Sequence, residues 1–178
     1  MALSLHCGKV QGLTFGYRTE RAARRALMQS MNDGLNALIG QDLEESAEEK
    51  TLADEMTARL KQFARGEPVD FTDIPLATDR FTEFQRCVIK ACRRIAWGET
   101  CTYGELASAA GYPGAARAAG TVMSRNRFPL IVPCHRIVGA GGQLGGYSAP
   151  QGLAMKRRLL AAEQSAEPAA LTTELAVF

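Results

Sequence analysis

Ile131-Val132-Pro133-Cys134-His135-Arg136-Ile137-Val138 places one cysteine between a proline and a histidine, with apolar β-formers on either side. Proline fixes its own φ, so the backbone entering the thiol is stiff. The flanking Ile-Val pairs would bury both ends of the segment. A thiol becomes a nucleophile only where its pKa is depressed or a base stands near it. A pinned Cys134 with His135 beside it is one way to meet that need. A buried structural cysteine, packing as a small hydrophobe, fits these eight residues equally well.

The rest of the chain bounds the possibilities. It has 178 residues, with 21 Lys+Arg against 19 Asp+Glu, for a net charge of +2. That balance alone does not mark a nucleic-acid binder. Its distribution is uneven: residues 41–55 are strongly acidic, and residues 80–158 are rich in Arg and Lys. Any polyanion-binding surface therefore belongs to the second half, with a merely solvated basic face as the alternative. Cys7, Cys87, Cys92, Cys101 and Cys134 are odd in number and irregularly spaced, with no Cys-x-x-Cys pair. They do not make a disulfide framework. His6-Cys7 lacks a convincing set of partners, so no metal site is expected. No run is long and apolar enough to cross a membrane, and the N-terminus has no signal-peptide pattern. A reducing cytoplasmic setting, at the nucleoid, is expected.

Periodicity places the segments. Residues 2–5 and 13–17 read as short strands around Gly8 and Gly12, and residues 20–31 have helical composition. Residues 44–65 read as an amphipathic helix with Leu52, Met56, Leu60 and Phe63 on its core face, stopped at Gly66. Residues 66–79, with two prolines and three aspartates, read as a linker with a short strand at 69–71. Residues 81–95 form a helix whose apolar stripe includes Phe84, Val88, Ala91, Cys92 and Ile95. Cys87 and Cys92 thus look like packing residues. Thr102 and Glu105 make a capping box for a helix that ends near Gly111. After a Pro113-Gly114 turn, residues 115–125 form the next helix, giving a helix-turn-helix candidate that ordinary helical packing also produces. Small residues surround Arg117 on that second helix. Residues 151–163 form a last helix, with Leu153, Lys156, Leu160 and Glu163 on one face. A carboxylate ending an apolar stripe needs a partner if it is buried.

The stretches Thr102-Tyr103-Gly104-Glu105-Leu106-Ala107, Gly111-Tyr112-Pro113 and Ala116-Arg117-Ala118-Ala119-Gly120 precede Asn126 and the Pro133-Cys134-His135-Arg136 core. Gly146-Tyr147-Ser148, Lys156-Arg157-Arg158-Leu159-Leu160 and Glu163 follow it. In this order and spacing the chain resembles the O6-alkylguanine-DNA alkyltransferases, also called methylated-DNA–protein-cysteine methyltransferases. The resemblance is specific from about residue 81 to 163 and weak before that.

The resemblance implies an α+β protein. A small ribonuclease-H-like domain with its linker would span 1–79. A helical, winged-helix-like domain with a helix-turn-helix would span 80–164, and 165–178 would be a tail. It implies direct-reversal DNA repair, with an alkyl group moving irreversibly from O6-alkylguanine, or O4-alkylthymine, to Cys134 in one turnover and without a cofactor. His135 would act as base toward Cys134 through a water, and Glu163 would orient and charge His135. Tyr103 would help rotate the nucleotide and protonate the departing base, and Asn126 would be the hinge of the active-site loop. Arg117 would fill the gap left by the extruded nucleotide, with Ala116, Thr102 and Arg125 also facing DNA. Tyr147, Ser148 and Pro133 would line the alkylguanine pocket, and Arg136 would hold the loop. The partner would be double-stranded DNA carrying the lesion, met by a monomer. Two departures bear on the alkyl groups accepted: Arg127 stands where many members have proline, and the loop 148–152 is longer than in the shortest members. A non-catalytic lesion binder would lack Cys134, a methyl-responsive regulator would add a cysteine-rich metal module, and a thiol hydrolase would need an oxyanion site.

Overall fold

The computed structural model describes residues 1–31 and 46–164. The expectations for the acidic residues 41–45, for the first residues of the helix placed at 44–65, and for the tail 165–178 lie outside the described residues.

The chain opens as an antiparallel hairpin of β1 (Ala2–His6) and β2 (Lys9–Thr14). Cys7 and Gly8 make its turn at φ 50° and 68°, the left-handed pair that matches the twist of a two-residue hairpin. The strand expected at 13–17 therefore starts earlier, at Lys9, because the tight turn uses only two residues. Gly12 lies inside that strand. Helix α1 (Glu20–Met31) is as expected and buries Ala23, Leu27 and Met31. It crosses β2 at Gly12, where a Cβ would stand 2.9 Å from the Leu27 Cδ1.

Helix α2 (Ala47–Ala64) starts from a capping box between Ser46 and Glu49, and its expected stripe of Leu52, Met56, Leu60 and Phe63 is buried. The strand expected at 69–71 does not form. The Asp70 carboxylate accepts the Thr72 N–H at 2.7 Å, an Asx-type turn that bends the chain there. Pairing occurs further on instead. The Val10 N–H donates to the Pro75 carbonyl, and the Ala77 N–H donates to the Val10 carbonyl, both at 2.9 Å. Arg93 donates to the Ile74 carbonyl at 2.8 Å and to that of Phe71. The linker is thus bonded to both halves of the molecule.

Helix α3 (Glu83–Arg93) starts two residues later than expected, because Thr82 and Gln85 form a capping box. β3 (Cys101–Thr102) leads into α4 (Tyr103–Ala109), which carries the expected Thr102–Glu105 capping box. Gly111 and Gly114, at φ 88° and 86°, turn the chain into α5 (Ala116–Ser124). A 3-10 turn (Cys134–Arg136), β4 (Ile137–Val138) and α6 (Leu153–Gln164) complete the described chain. The architecture is mixed helix and sheet, with two small two-stranded sheets, β1–β2 antiparallel and β3–β4 parallel. One apolar core joins Val10, Leu13 and Phe63 to Val88, Leu106, Phe128, Ile131 and Leu159.

Candidate active site

Every residue from Ile131 to Val138 is buried. Cys134 and His135 sit in a 3-10 turn rather than on an extended loop. Pro133, at φ −76° and ψ 63°, leads into it, and the Arg136 N–H closes it on the Pro133 carbonyl at 2.9 Å. Successive side chains in such a turn are about 120° apart, so the thiol and the imidazole leave the backbone in different directions. The parallel pairs Cys101↔Ile137 and Thr102↔Val138 bring the start of α4 alongside this turn.

Asn126, just beyond α5, holds the thiol. Its Nδ2 donates to the Val132 carbonyl at 2.8 Å and to Cys134 Sγ at 3.1 Å, while its Oδ1 accepts the Phe128 N–H at 2.9 Å. Burial pushes the Cys134 pKa above its ordinary value, opposed by the Asn126 hydrogen bond and the Lys156 cation. The resting sulfur is therefore a protonated thiol. The two opposing groups are placed to stabilise the thiolate once it forms.

His135 is completely buried, and its Nε2 donates to Glu163 Oε1 at 2.7 Å. Arg136 meets the same carboxylate with Nε at 2.9 Å from Oε2 and Nη2 at 3.0 Å from Oε1, and the Gly98 N–H adds a bond at 3.2 Å. Burial alone would raise the Glu163 pKa. The bonds from His135 and Arg136 outweigh it and hold the carboxyl below its usual value. Burial lowers the His135 pKa, against the pull of Glu163. The imidazole is thus neutral at rest, with its proton on Nε2. Its Nδ1 is buried without a hydrogen-bond partner among the described residues. This refines the expectation that Glu163 charges the histidine: Arg136 already neutralises the carboxylate, so an imidazolium arises only when Nδ1 takes up a proton.

One contact and the roles of two residues already singled out emerge only from the structure. Arg136 was read as holding the loop, yet it also pairs with Glu163, and its Nη1 donates to the Ile95 carbonyl at 2.6 Å. Phe63 of α2 sets its ring edge-on to His135 at 6.2 Å. Lys156 has no exposed side-chain surface and donates from Nζ to the Ile137 carbonyl at 2.5 Å. Its signal was its place on the α6 stripe. That stripe is Met155, Lys156, Leu159, Ala162 and Glu163. Leu153 and Leu160, expected on it, turn outward: Leu153 is exposed and Leu160 half-buried.

The remaining expected residues divide between pocket and surface. Tyr103 lies half-buried between Gly120 and Gly145, and a Cβ on Gly145 would stand 3.3 Å from its hydroxyl. Burial raises its pKa, so the phenol stays protonated. The Tyr147 hydroxyl is buried without a hydrogen-bond partner among the described residues, and burial pushes its pKa well up. Tyr147 and Ser148 line a cavity of about 680 Å³ together with Asn126. Pro133, expected beside Tyr147 and Ser148, is buried and instead lines a separate cavity with Ile131, Arg136 and Trp97. The Thr102 hydroxyl is engaged by Glu105, donating to its carboxylate at 2.8 Å and accepting its N–H at 3.2 Å. Arg117 and Arg125 are exposed, the first on α5 and the second at its C-cap, and Ala116 is half-buried. The structure thus gathers Cys134, His135 and Glu163 into one buried cluster with half-buried Asn126 against the thiol, and leaves Arg117 and Arg125 on the surface.

A buried thiol held by an amide, beside an imidazole–carboxylate pair, is an arrangement suited to a cysteine nucleophile. The comparisons agree. Residues 83–165 match the family model described as the 6-O-methylguanine DNA methyltransferase, DNA binding domain. The methylated-DNA–protein-cysteine methyltransferase of Mycolicibacterium paratuberculosis is 46% identical over 114 residues, covering 64% of this chain and 67% of that protein. The protein of that name from Methanosarcina acetivorans is 45% identical over 111 residues, covering 62% and 69%. Among solved structures, Mycobacterium tuberculosis OGT in complex with DNA matches with a TM-score of 0.58 and 44% identity over 65% of this chain and 68% of that one. The O6-methylguanine-DNA methyltransferase of Pyrococcus kodakaraensis matches with a TM-score of 0.65 and 27% identity, over 90% and 89%. The chain belongs to the methylated-DNA–protein-cysteine methyltransferase family.

Proposed function

We propose that this protein repairs DNA by direct reversal, taking the alkyl group of O6-alkylguanine onto Cys134 in a single turnover. The observation that carries the assignment is the Cys134 sulfur, buried and hydrogen-bonded by Asn126 beside the His135–Glu163 pair. The other cysteines lack this buried set: Cys92 is a core residue, and Cys7 meets His6 Nε2 at 3.3 Å but is exposed. Inside a duplex the alkyl carbon is out of reach, so the nucleotide is extruded, at a cost of a few kcal/mol that is smallest for a damaged pair. Arg117 fills the gap, and the small residues around it let α5 approach the groove. Ala116, Thr102 and Arg125 flank that contact. The base enters between Tyr103 and the lid formed by Tyr147 and Ser148.

The chemistry is a displacement. The Sγ–C bond forms as the C–O6 bond breaks. The thiol proton passes through a water to His135 Nδ1, the free acceptor of a ring whose other nitrogen is held by Glu163. Tyr103, kept protonated by its burial, gives a proton to the departing base, and solvent returns the His135 proton to the tyrosinate. The net change is a thioether and a restored guanine, so no cofactor enters. A thioether is not readily reversed, and the protein is consumed.

Residues 1–79 read as a ribonuclease-H-like supporting domain and residues 80–164 as a winged-helix-like catalytic domain. We read the protein as a monomer acting on double-stranded DNA in the cytoplasm, with O4-alkylthymine as a second substrate. Among the described residues no helix is long and apolar enough to cross a membrane. The test is incubation with excess O6-methylguanine duplex. Transfer stops at one equivalent per chain, and intact mass rises by one methyl in place of one hydrogen, on the peptide that holds Cys134. Repeated turnover, or methyl on Cys87, Cys92 or Cys101, overturns the assignment.

A further inference from the structure

The outer edge of β2 donates two backbone bonds outside its hairpin, and the Val10 carbonyl accepts a third from Ala77. At its start the Val10 N–H reaches the Pro75 carbonyl at 2.9 Å, and near its end the Leu13 N–H reaches the Arg127 carbonyl at 2.8 Å. The second bond lands inside the loop that controls the sulfur. Arg127 lies between Asn126, whose amide donates to Cys134 Sγ at 3.1 Å, and Phe128, whose N–H is held by Asn126 Oδ1 at 2.9 Å. The 126–128 turn is therefore fixed at both its side chain and its backbone. Packing holds both ends of this bond in place. Leu13 is 1% exposed in the core. Gly12 lets α1 and the hinge close on the strand, since its Cβ would sit 2.9 Å from Leu27 Cδ1 and 3.6 Å from the Arg127 oxygen. On the far side Phe81 packs against Phe128 at 6.1 Å and carries the Arg127 guanidinium at 6.0 Å.

We propose that the backbone amide of Leu13 is a positioning group for the nucleophile: it holds the Arg127 carbonyl, and through it the Asn126 carboxamide, against the Cys134 sulfur. This rests on the assignment of Cys134 as the acceptor. It gives the N-terminal hairpin a stated part in the chemistry, although the hairpin contributes no side chain to the site. Arg127 has its own N–H and a freely chosen φ, where proline would have neither, so the hinge depends on an external bond to stay in register. A hydrogen bond donated to sulfur favours the thiolate. A small drift of Asn126 therefore changes thiol reactivity before it changes the fold.

The test deletes one N–H. Leu13 is replaced by its α-hydroxy acid through nonsense suppression, which turns that amide into an ester and leaves the side chain in place. The same replacement at Val10 removes the Pro75 bond on the same strand edge and serves as the control. Both variants lose similar stability in urea. Only the Leu13 ester raises the apparent pKa for iodoacetamide labelling of Cys134, by about 0.5–1 unit, which cuts labelling near neutral pH about 3–10-fold. In an Asn126→Ala background the Leu13 ester adds no further shift. Coupling is reciprocal, so in Asn126→Ala alone the Leu13 amide exchanges hydrogen about 3–10-fold faster than in wild type, while Val10 does not. This second arm needs no change at Leu13. Equal shifts from the two esters, no shift from either, or equal exchange at Leu13 and Val10 overturns the proposal. A methyl group found on another cysteine of the wild-type protein defeats the acceptor assignment instead. A methyl on Cys134 with an unmoved labelling profile defeats only the positioning role.

Discussion

Glu163→Gln tests the buried cluster most directly. The carboxylate accepts from His135, from two nitrogens of Arg136 and from the Gly98 N–H. An amide offers one acceptor oxygen and turns an NH2 toward groups that are all donors. It also leaves the Arg136 guanidinium, 7% exposed, without its counter-charge. Its remaining contacts are the Ile95 carbonyl and the face of Trp97 at 5.7 Å. Breaking a buried pair from one side costs about 3–5 kcal/mol, a large share of a typical stability of roughly 5–15 kcal/mol. At about 2–4 °C per kcal/mol for a chain of this size, Tm falls by roughly 6–20 °C while the fold persists. Two assays separate stability from chemistry: urea unfolding, and iodoacetamide labelling of Cys134 against pH. Adding Arg136→Met removes the stranded charge. The double variant then loses less stability than the two single losses summed, by about 1–3 kcal/mol. Labelling and methyl transfer stay roughly 10–100-fold slow in both variants, part of the 10²–10⁴ that a positioned base supplies. A stability within about 1 kcal/mol of wild type, or additive losses in the double variant, would refute the account of one carboxylate shared between arginine and imidazole.

Arg117→Ala leaves transfer from free O6-methylguanine nearly unchanged and slows repair of duplex substrate; equal slowing on both rejects its role as the wedge. Lys156→Met strands the Ile137 carbonyl at a cost of about 1–3 kcal/mol and raises the labelling pKa of Cys134, because the lost cation had lowered it. Unchanged labelling would show that Lys156 only packs. His135 has a folded pKa below its unfolded value near 6.5, so the unfolded state takes up the extra proton as acid is added. Its contribution is complete above about pH 6.5 and is lost as pH falls toward the lowered folded value, at up to about 1.4 kcal/mol per pH unit. Urea midpoints from pH 7.5 to 5 then decline in wild type and decline less in His135→Gln; parallel curves count against a buried neutral imidazole.

Much of this site was legible because its signals are local. Proline before Cys134, the Thr102–Glu105 capping box and the glycines at 111 and 114 each act on residues within a few positions, and α4, α5 and their turn follow from them. Glu163 stood out as a carboxylate at the end of an apolar helix face, which needs a partner wherever it is buried. What sequence did not reveal depends on contacts across long separations. Phe63 against His135 and Leu13 against Arg127 involve partners that no spacing rule links. Of the face expected on α6, Lys156 and Glu163 are buried as read, while Leu153 and Leu160 give way to Met155, Leu159 and Ala162. What spacing could not supply is the partner of Lys156, the Ile137 carbonyl at 2.5 Å. The strand expected at 69–71 failed for a related reason: the Asp70–Thr72 turn is a side-chain-to-backbone bond that outcompetes local β propensity.

The resting electrostatics also explain how a reactive cysteine is kept idle. Burial raises the Cys134 pKa and lowers that of His135, so neither partner is ionised before substrate arrives. Each ion then costs less to form in the presence of the other, because each supplies the opposite charge the other lacks in a low-dielectric site. Asn126 and Lys156 stand ready for the anion, and Glu163 for the cation. None of these groups has to move, and such pre-placed dipoles and charges stabilise a charge-separated transition state without reorganisation. A permanently ionised thiolate would meet any soluble electrophile and consume a protein that works once. A buried thiol is released only where an alkylated base delivers its carbon to the sulfur. Free methyl iodide should therefore label Cys134 far more slowly than an exposed model thiol at the same pH, while O6-methylguanine in duplex labels it readily. Faster labelling of Cys134 than of the model thiol by free methyl iodide would mean that burial does not guard the nucleophile.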